Sequence, residues 1–123
     1  MRLAILATAV LVGLGSILLT ALPAHAEYGA IAWDAATGKS VASWHEPTAK
    51  RAAETAISEC GASGCKVVTH IGPGMCGALA ASEDGKKVGA AARKTRDAAR
   101  VAALKDCPKT SGECTIRLSD CSK

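Results

Sequence analysis

His45 stands beside Glu46 and a short way after Asp34, and a hydrolytic or metal site using His45 with Asp34 or Glu46 is the first chemistry the residues allow. The only other histidine beyond the leader is His70. Neither has the i+4 or C-x-x-C spacing to another ligand that marks a metal site. The plain alternative is that both are satisfied or solvent-facing side chains. Two nucleophile-like patterns go no further. "GKS" at Gly38 to Ser40 has Trp33 where a phosphate loop needs its first glycine, and a strand pattern follows where a helix should. "SGCK" at Ser63 to Lys66 fits S-x-x-K but lies in a connection between two cysteines and lacks companion motifs. No catalytic, cofactor-binding or metal-binding residue is therefore assigned. Trp33 and Trp44 allow two readings. They fill core space, or they form an aromatic platform for sugar rings or for the side chains of a protein partner.

The six cysteines point to structure rather than reaction. Residues 1–26 combine an early Arg2, a long apolar run, Pro23 and the small-x-small site Ala24-His25-Ala26, the layout of a secretory signal peptide. No cysteine lies in that segment, which argues against a lipid anchor, and no later run is apolar enough to leave a stable membrane span after cleavage. Removing it leaves residues 27–123, read as a single domain in a secreted or periplasmic chain. There an even cysteine count reads as disulfides. Without Arg2 the chain carries 14 basic and 11 acidic side chains, a mildly basic surface that does not call for nucleic acid. The basic stretch "RKTRDAAR" from Arg93 to Arg100 reads as the wet side of a helix entry, or as a surface for an acidic partner. With no Phe and only three aromatic residues, Ala, Val, Ile and Leu must supply the core.

The elements that position these residues come from a duplication. "YGAIA" at Tyr28 matches "CGALA" at Cys76; Gly38, Val41, Thr48, Ile57 and Cys60 match Gly85, Val88, Thr95, Leu104 and Cys107 at a constant offset. The same offset sets Trp44 against Ala91, while Trp33 falls on Ala81. Each unit, about 27–74 and 75–123, reads as a hairpin, a helix capped by Thr48 or Thr95, and a closing β-run, "CKVVTHI" or "CTIRLSD". In the first helix Ala49, Ala52, Ala53, Ala56, Ile57 and Cys60 form one apolar stripe. The fold class is α+β: a tandem ββαβ duplication with an antiparallel sheet packed against two Ala-rich helices. Whether the units share one continuous sheet stays open. Repeat symmetry favours the bridges Cys60–Cys65 and Cys107–Cys114, which leaves Cys76–Cys121 to join the first and last strands of the second unit.

The "YGAIA" and "CGALA" openings, the helices ending near Cys60 and Cys107, the "CKVV" run and the late paired cysteines resemble the bacterial secreted family catalogued as domain of unknown function 4189. The resemblance covers essentially all of residues 27–123. It implies export and the duplicated ββαβ fold, and it carries over no catalytic residue. Some mycobacterial relatives are regarded as secreted factors at the host interface. The function it leads us to expect is non-enzymatic binding of a protein or glycan at the envelope or host interface; the alternative is a small envelope hydrolase whose site forms only in three dimensions.

Overall fold

In the computed structural model, residues 13, 26–108 and 112–122 are described. The expected signal peptide therefore lies, apart from Gly13 and Ala26, outside the described residues. The element order is β1 (Tyr28–Trp33), β2 (Ser40–Glu46), α1 (Ala49–Cys60), β3 (Lys66–Ile71), β4 (Cys76–Ala81), β5 (Val88–Arg93), α2 (Arg96–Asp106) and β6 (Thr115–Cys121). This is ββαβ twice. The units do not share a sheet: each builds its own three-stranded antiparallel sheet, in the orders β2-β1-β3 and β5-β4-β6.

The two sheets pack face to face with a helix outside each, giving four layers, α/β/β/α. Strand alternation explains why the composition suffices. On β1, Ala30 and Ala32 face α1 and meet Ala52, Ala56 and Cys60, while Ile31 points the other way. On β4, Ala78 and Ala80 face α2 and meet Ala99, Ala103 and Cys107, while Leu79 and Ala81 join Ile31 and Ile71 between the sheets. Small residues let each helix sit close to its sheet, and the few large aliphatics are kept for the central layer. The approach of α2 is so close that a Cβ at Gly89 would collide with the backbone of Ala103 and Cys107.

Both helices begin as their threonines dictate. Thr48 Oγ1 accepts from Arg51 N at 3.0 Å, and Thr95 Oγ1 from Ala98 N at 3.1 Å. The buried stripe of α1 is narrower than the sequence suggests: Ala52, Ala56 and Cys60 are buried, but Ala49 and Ile57 face solvent. With alanines at the contact, one row of i, i+4 positions is all that reaches the sheet.

The strands also correct the repeat alignment. Trp33 pairs with Ser40 and Ala81 with Val88, so the hairpins match at an offset of 48 residues, whereas Thr48 and Thr95 match at 47. The missing residue is a β-bulge. Trp44 and His45 both lie opposite Gly29, and His45 takes a left-handed φ of 62°. In the second unit Gly77 faces Ala92 alone. Trp44 thus corresponds to Ala92, which shares its inter-sheet face, and not to Ala91, which faces α2.

The hairpin loops close alike, by Asp34 N to Lys39 O and Ser82 N to Lys87 O, each 2.9 Å, and they meet at their tips. Gly38 and Gly85, at φ 74° and 72°, lie backbone against backbone; a Cβ at Gly38 would stand 2.6 Å from Asp84 O. Only glycine satisfies both the left-handed turn and that approach. Ser122 closes the other end, donating its hydroxyl to Gly72 O (2.7 Å) at the joint between the units.

Candidate functional site

The polar residues that could have made a hydrolytic site are held apart by β1. Asp34 follows its last residue, and His45 lies across from Gly29 near its start, so most of the strand's length, roughly 15 Å, separates them. His70 pairs with Ala30 on β3, the opposite flank of β1 from β2. The strands therefore do not bring His45, His70 and Asp34 together. Among the described residues no three His, Cys, Asp or Glu side chains are grouped to hold a metal ion.

Each polar residue has a local role instead. Asp34 is buried, accepts from the Thr37 hydroxyl at 2.6 Å and from Ala36 N at 3.3 Å, and so shapes the first hairpin loop. These donations, the Thr37 hydroxyl foremost, hold its carboxyl below the ordinary value of 3.8 despite the opposing effect of burial. A depressed native pKa stabilises the fold above the unfolded value, and that contribution is lost as pH falls through the native one. Asp34→Asn is accordingly expected to reduce the acid sensitivity of the melting temperature below about pH 4; an unchanged acid limb would show that Asp34 is not its source. Asp84 plays the matching part in the second loop: Lys86 N (3.0 Å) and the Ser82 hydroxyl (2.8 Å) donate to it and lower its pKa.

The bulge turns His45 outward, where Nδ1 meets Glu27 Oε2 at 2.8 Å and just over half of the side chain is exposed. Gly38 and Lys39 of the "GKS" pattern lie in the loop and Ser40 starts β2, so no helix receives a phosphate there. "SGCK" occupies the α1–β3 connection, with Ser63 and Lys66 exposed. Of "RKTRDAAR", Thr95 is the cap of α2, and Arg96 Nη2 pairs with Asp120 Oδ1 at 3.0 Å.

Trp33 and Trp44 are half-buried and pack against the inter-sheet cluster, and the Trp33 indole N–H donates to Gly85 O of the other unit at 2.7 Å. Most of each ring's surface is therefore turned inward. The cysteines pair as Cys60–Cys65, Cys76–Cys121 and Cys107–Cys114, with none free among the described residues. Cys76 and Cys121 are direct cross-strand partners on β4 and β6, with Cα atoms 3.8 Å apart, closer than the usual span of about 5.5–6 Å.

Sequence reasoning missed Arg117. It sits at a bulge in β6, and its guanidinium donates to Ser82 O (3.1 Å) and Glu83 O (3.2 Å), bracing the second loop. Nothing in its spacing announces that role. Surface depressions among the described residues include a polar and an apolar one. One, of about 470 Å³ along α1, is polar and lined by Glu46, Arg51, Glu54, Thr55, Ser58 and Glu59. The other, of about 620 Å³ beside α2, is mainly apolar and includes Val101, Leu104 and the Cys107–Cys114 bridge.

The family profile described as "Domain of unknown function (DUF4189)" matches residues 28–121, the whole of both units. Over 59 residues the chain is 42% identical to the uncharacterized protein Rv1813c of Mycobacterium tuberculosis and, equally, to the uncharacterized protein Mb1843c of Mycobacterium bovis. That match covers 48% of this chain but spans only 39% of the length of those relatives. The NMR structure of Rv1813c from Mycobacterium tuberculosis is similar, with a TM-score of 0.55 and 29% identity over 84% of this chain and 80% of that one.

Proposed function

The chain belongs to the DUF4189 family, and from that premise we propose that it is a small exported protein that works by binding, at the bacterial envelope or the interface with a host. Export is supported by the leader-type segment and by the closure of the cysteines into bridges, which persist in oxidising compartments. No helix among the described residues is long and apolar enough to cross a membrane.

The observation that carries the binding reading is that two units with one scaffold present unlike outer faces. Where α1 has Glu54 and Ser58, α2 has Val101 and Lys105 at the matching positions. These side chains are exposed and do no work in the core, so the difference lies in what each face can touch. The polar depression along α1 offers carboxylates, hydroxyls and a guanidinium, groups suited to the hydroxyls of a glycan or the polar backbone of a peptide. Trp33 and Trp44 enter this reading only through the ring edges left outside the inter-sheet contact.

A photo-crosslinking residue placed at Ser58 or at Lys105 tests it in the native envelope and medium. Saturable adducts from Ser58, competed away by unlabelled protein and absent from Lys105 or different there, are the expected result. Absence of adducts from both positions, or turnover of an envelope substrate that His45→Ala or Glu27→Gln abolishes, would replace binding with the hydrolase alternative or leave neither face a role.

A further inference from the structure

On α2, Asp97, Val101 and Lys105 follow at four-residue intervals and so stand in one row along the helix surface. All three are exposed, Val101 at 58%, and Leu104 beside it at 38%. The matching row on α1 is Lys50, Glu54 and Ser58, where Lys50 Nζ lies 3.9 Å from Glu54 Oε1, so its opposite charges face each other within one helix. On α2 the intervening Val101 keeps Asp97 and Lys105 apart. Neither makes an ion pair among the described residues.

We propose that this face is where two copies of the chain meet, α2 against α2, antiparallel about a two-fold axis at Val101. The row is self-complementary under that operation. Asp97 and Lys105 lie equally far from Val101, so Asp97 of each copy faces Lys105 of the other while the two Val101 side chains meet on the axis. Glu113, on the wall of the depression beside the end of α2, adds a second carboxylate to the same face. A parallel arrangement would set Asp97 on Asp97 and Lys105 on Lys105, and like charges select against it. The same mixture argues against a uniformly anionic occupant: an acidic membrane or peptide attracted by Arg100 and Lys105 would meet Asp97 and Glu113 on the same face. An 11-residue helix is about 16 Å long, so the contact is small and the dimer weak, on the order of 100 μM. This goes beyond the proposed binding function and does not depend on it.

The protein expressed from the full-length chain and recovered folded is followed by amide NMR from about 20 μM to 1 mM, with sedimentation velocity at low and high salt. Concentration-dependent shifts confined to 97–105 and 112–114, weakened by salt, are expected. Lys105→Asp should weaken association about tenfold or more, and the double swap Asp97→Lys with Lys105→Asp should restore it, because the exchanged charges again face each other. Asp97 and Lys105 sit in the first and last turns of α2, where their charges complement the helix dipole, so the swaps are expected to lower the melting temperature by several degrees, and association is compared below both transitions. A protein that stays monomeric at 1 mM, or a double swap that fails to restore association, would overturn the proposal. So would shifts on this face produced by phosphatidylglycerol vesicles in a protein that does not self-associate.

Discussion

Replacing Cys76 and Cys121 together by alanine is expected to cost about 4 kcal/mol of stability, against about 2 kcal/mol for either of the other bridges. The difference comes from the chain each bridge closes. Cys76 and Cys121 are 45 residues apart, whereas Cys60–Cys65 and Cys107–Cys114 close separations of 5 and 7. The long bridge also fastens β6 to the buried central strand β4, next to the Ser122 contacts that hold the joint between the units. A domain of this size has a total stability of only about 5–15 kcal/mol, so the loss would be a large share of it. Urea unfolding of the three paired Cys→Ala variants, all without reductant, ranks them directly. If the Cys60/Cys65 variant proved the least stable, loop closure would not be the governing effect.

The parts of the fold legible in the sequence are those that write a periodic or capping signal. Thr48 and Thr95 mark the helix starts because a hydroxyl before a helical run satisfies an otherwise unpaired N–H. The matched openings at Tyr28 and Cys76 mark the duplication. The bulge at Trp44 and His45 writes no such signal. It is a backbone event, and a histidine at positive φ is uncommon enough that composition does not suggest it. Carrying one offset through the hairpins therefore set Val41 against Val88, which face opposite sides of their sheets, since a slip of one residue exchanges the two faces.

The separation of the units into two sheets was equally hidden, because alternation shows that a strand has two sides but not what covers each. On β4 every residue is buried, with Ala78 and Ala80 toward the helix and Leu79 toward the other sheet. That distribution of small and large residues by face is the trace of a four-layer packing, and it becomes readable only once the register is known. Among the polar residues, Asp34 could have been recognised as a turn former from Asp34, Thr37 and Gly38 together, since Asp and Thr side chains bond their own loop. Its proximity to His45 in sequence suggested chemistry instead, and the length of β1 separates the two.

Trp33→Ala is expected to cost about 3 kcal/mol or somewhat more, the lower part of the range for large-to-small core substitutions, because the ring is half-buried. Two losses combine. The indole leaves a gap at the edge of the inter-sheet cluster it packs against, and Gly85 O loses the N–H that reaches it from the other unit at 2.7 Å. Ala81, the counterpart of Trp33, is itself buried in the same inter-sheet cluster. Trp33→Phe separates the two effects: it keeps most of the ring but not the donor, and about 1 kcal/mol is expected for the hydrogen bond alone. Chemical unfolding of both variants, followed by circular dichroism because the mutation removes one of the two fluorescent indoles, measures the differences. Trp33→Ala with unchanged stability but weakened capture of a glycan or protein partner would show that the ring works as a surface platform and that the bond to Gly85 contributes little to holding the two units together.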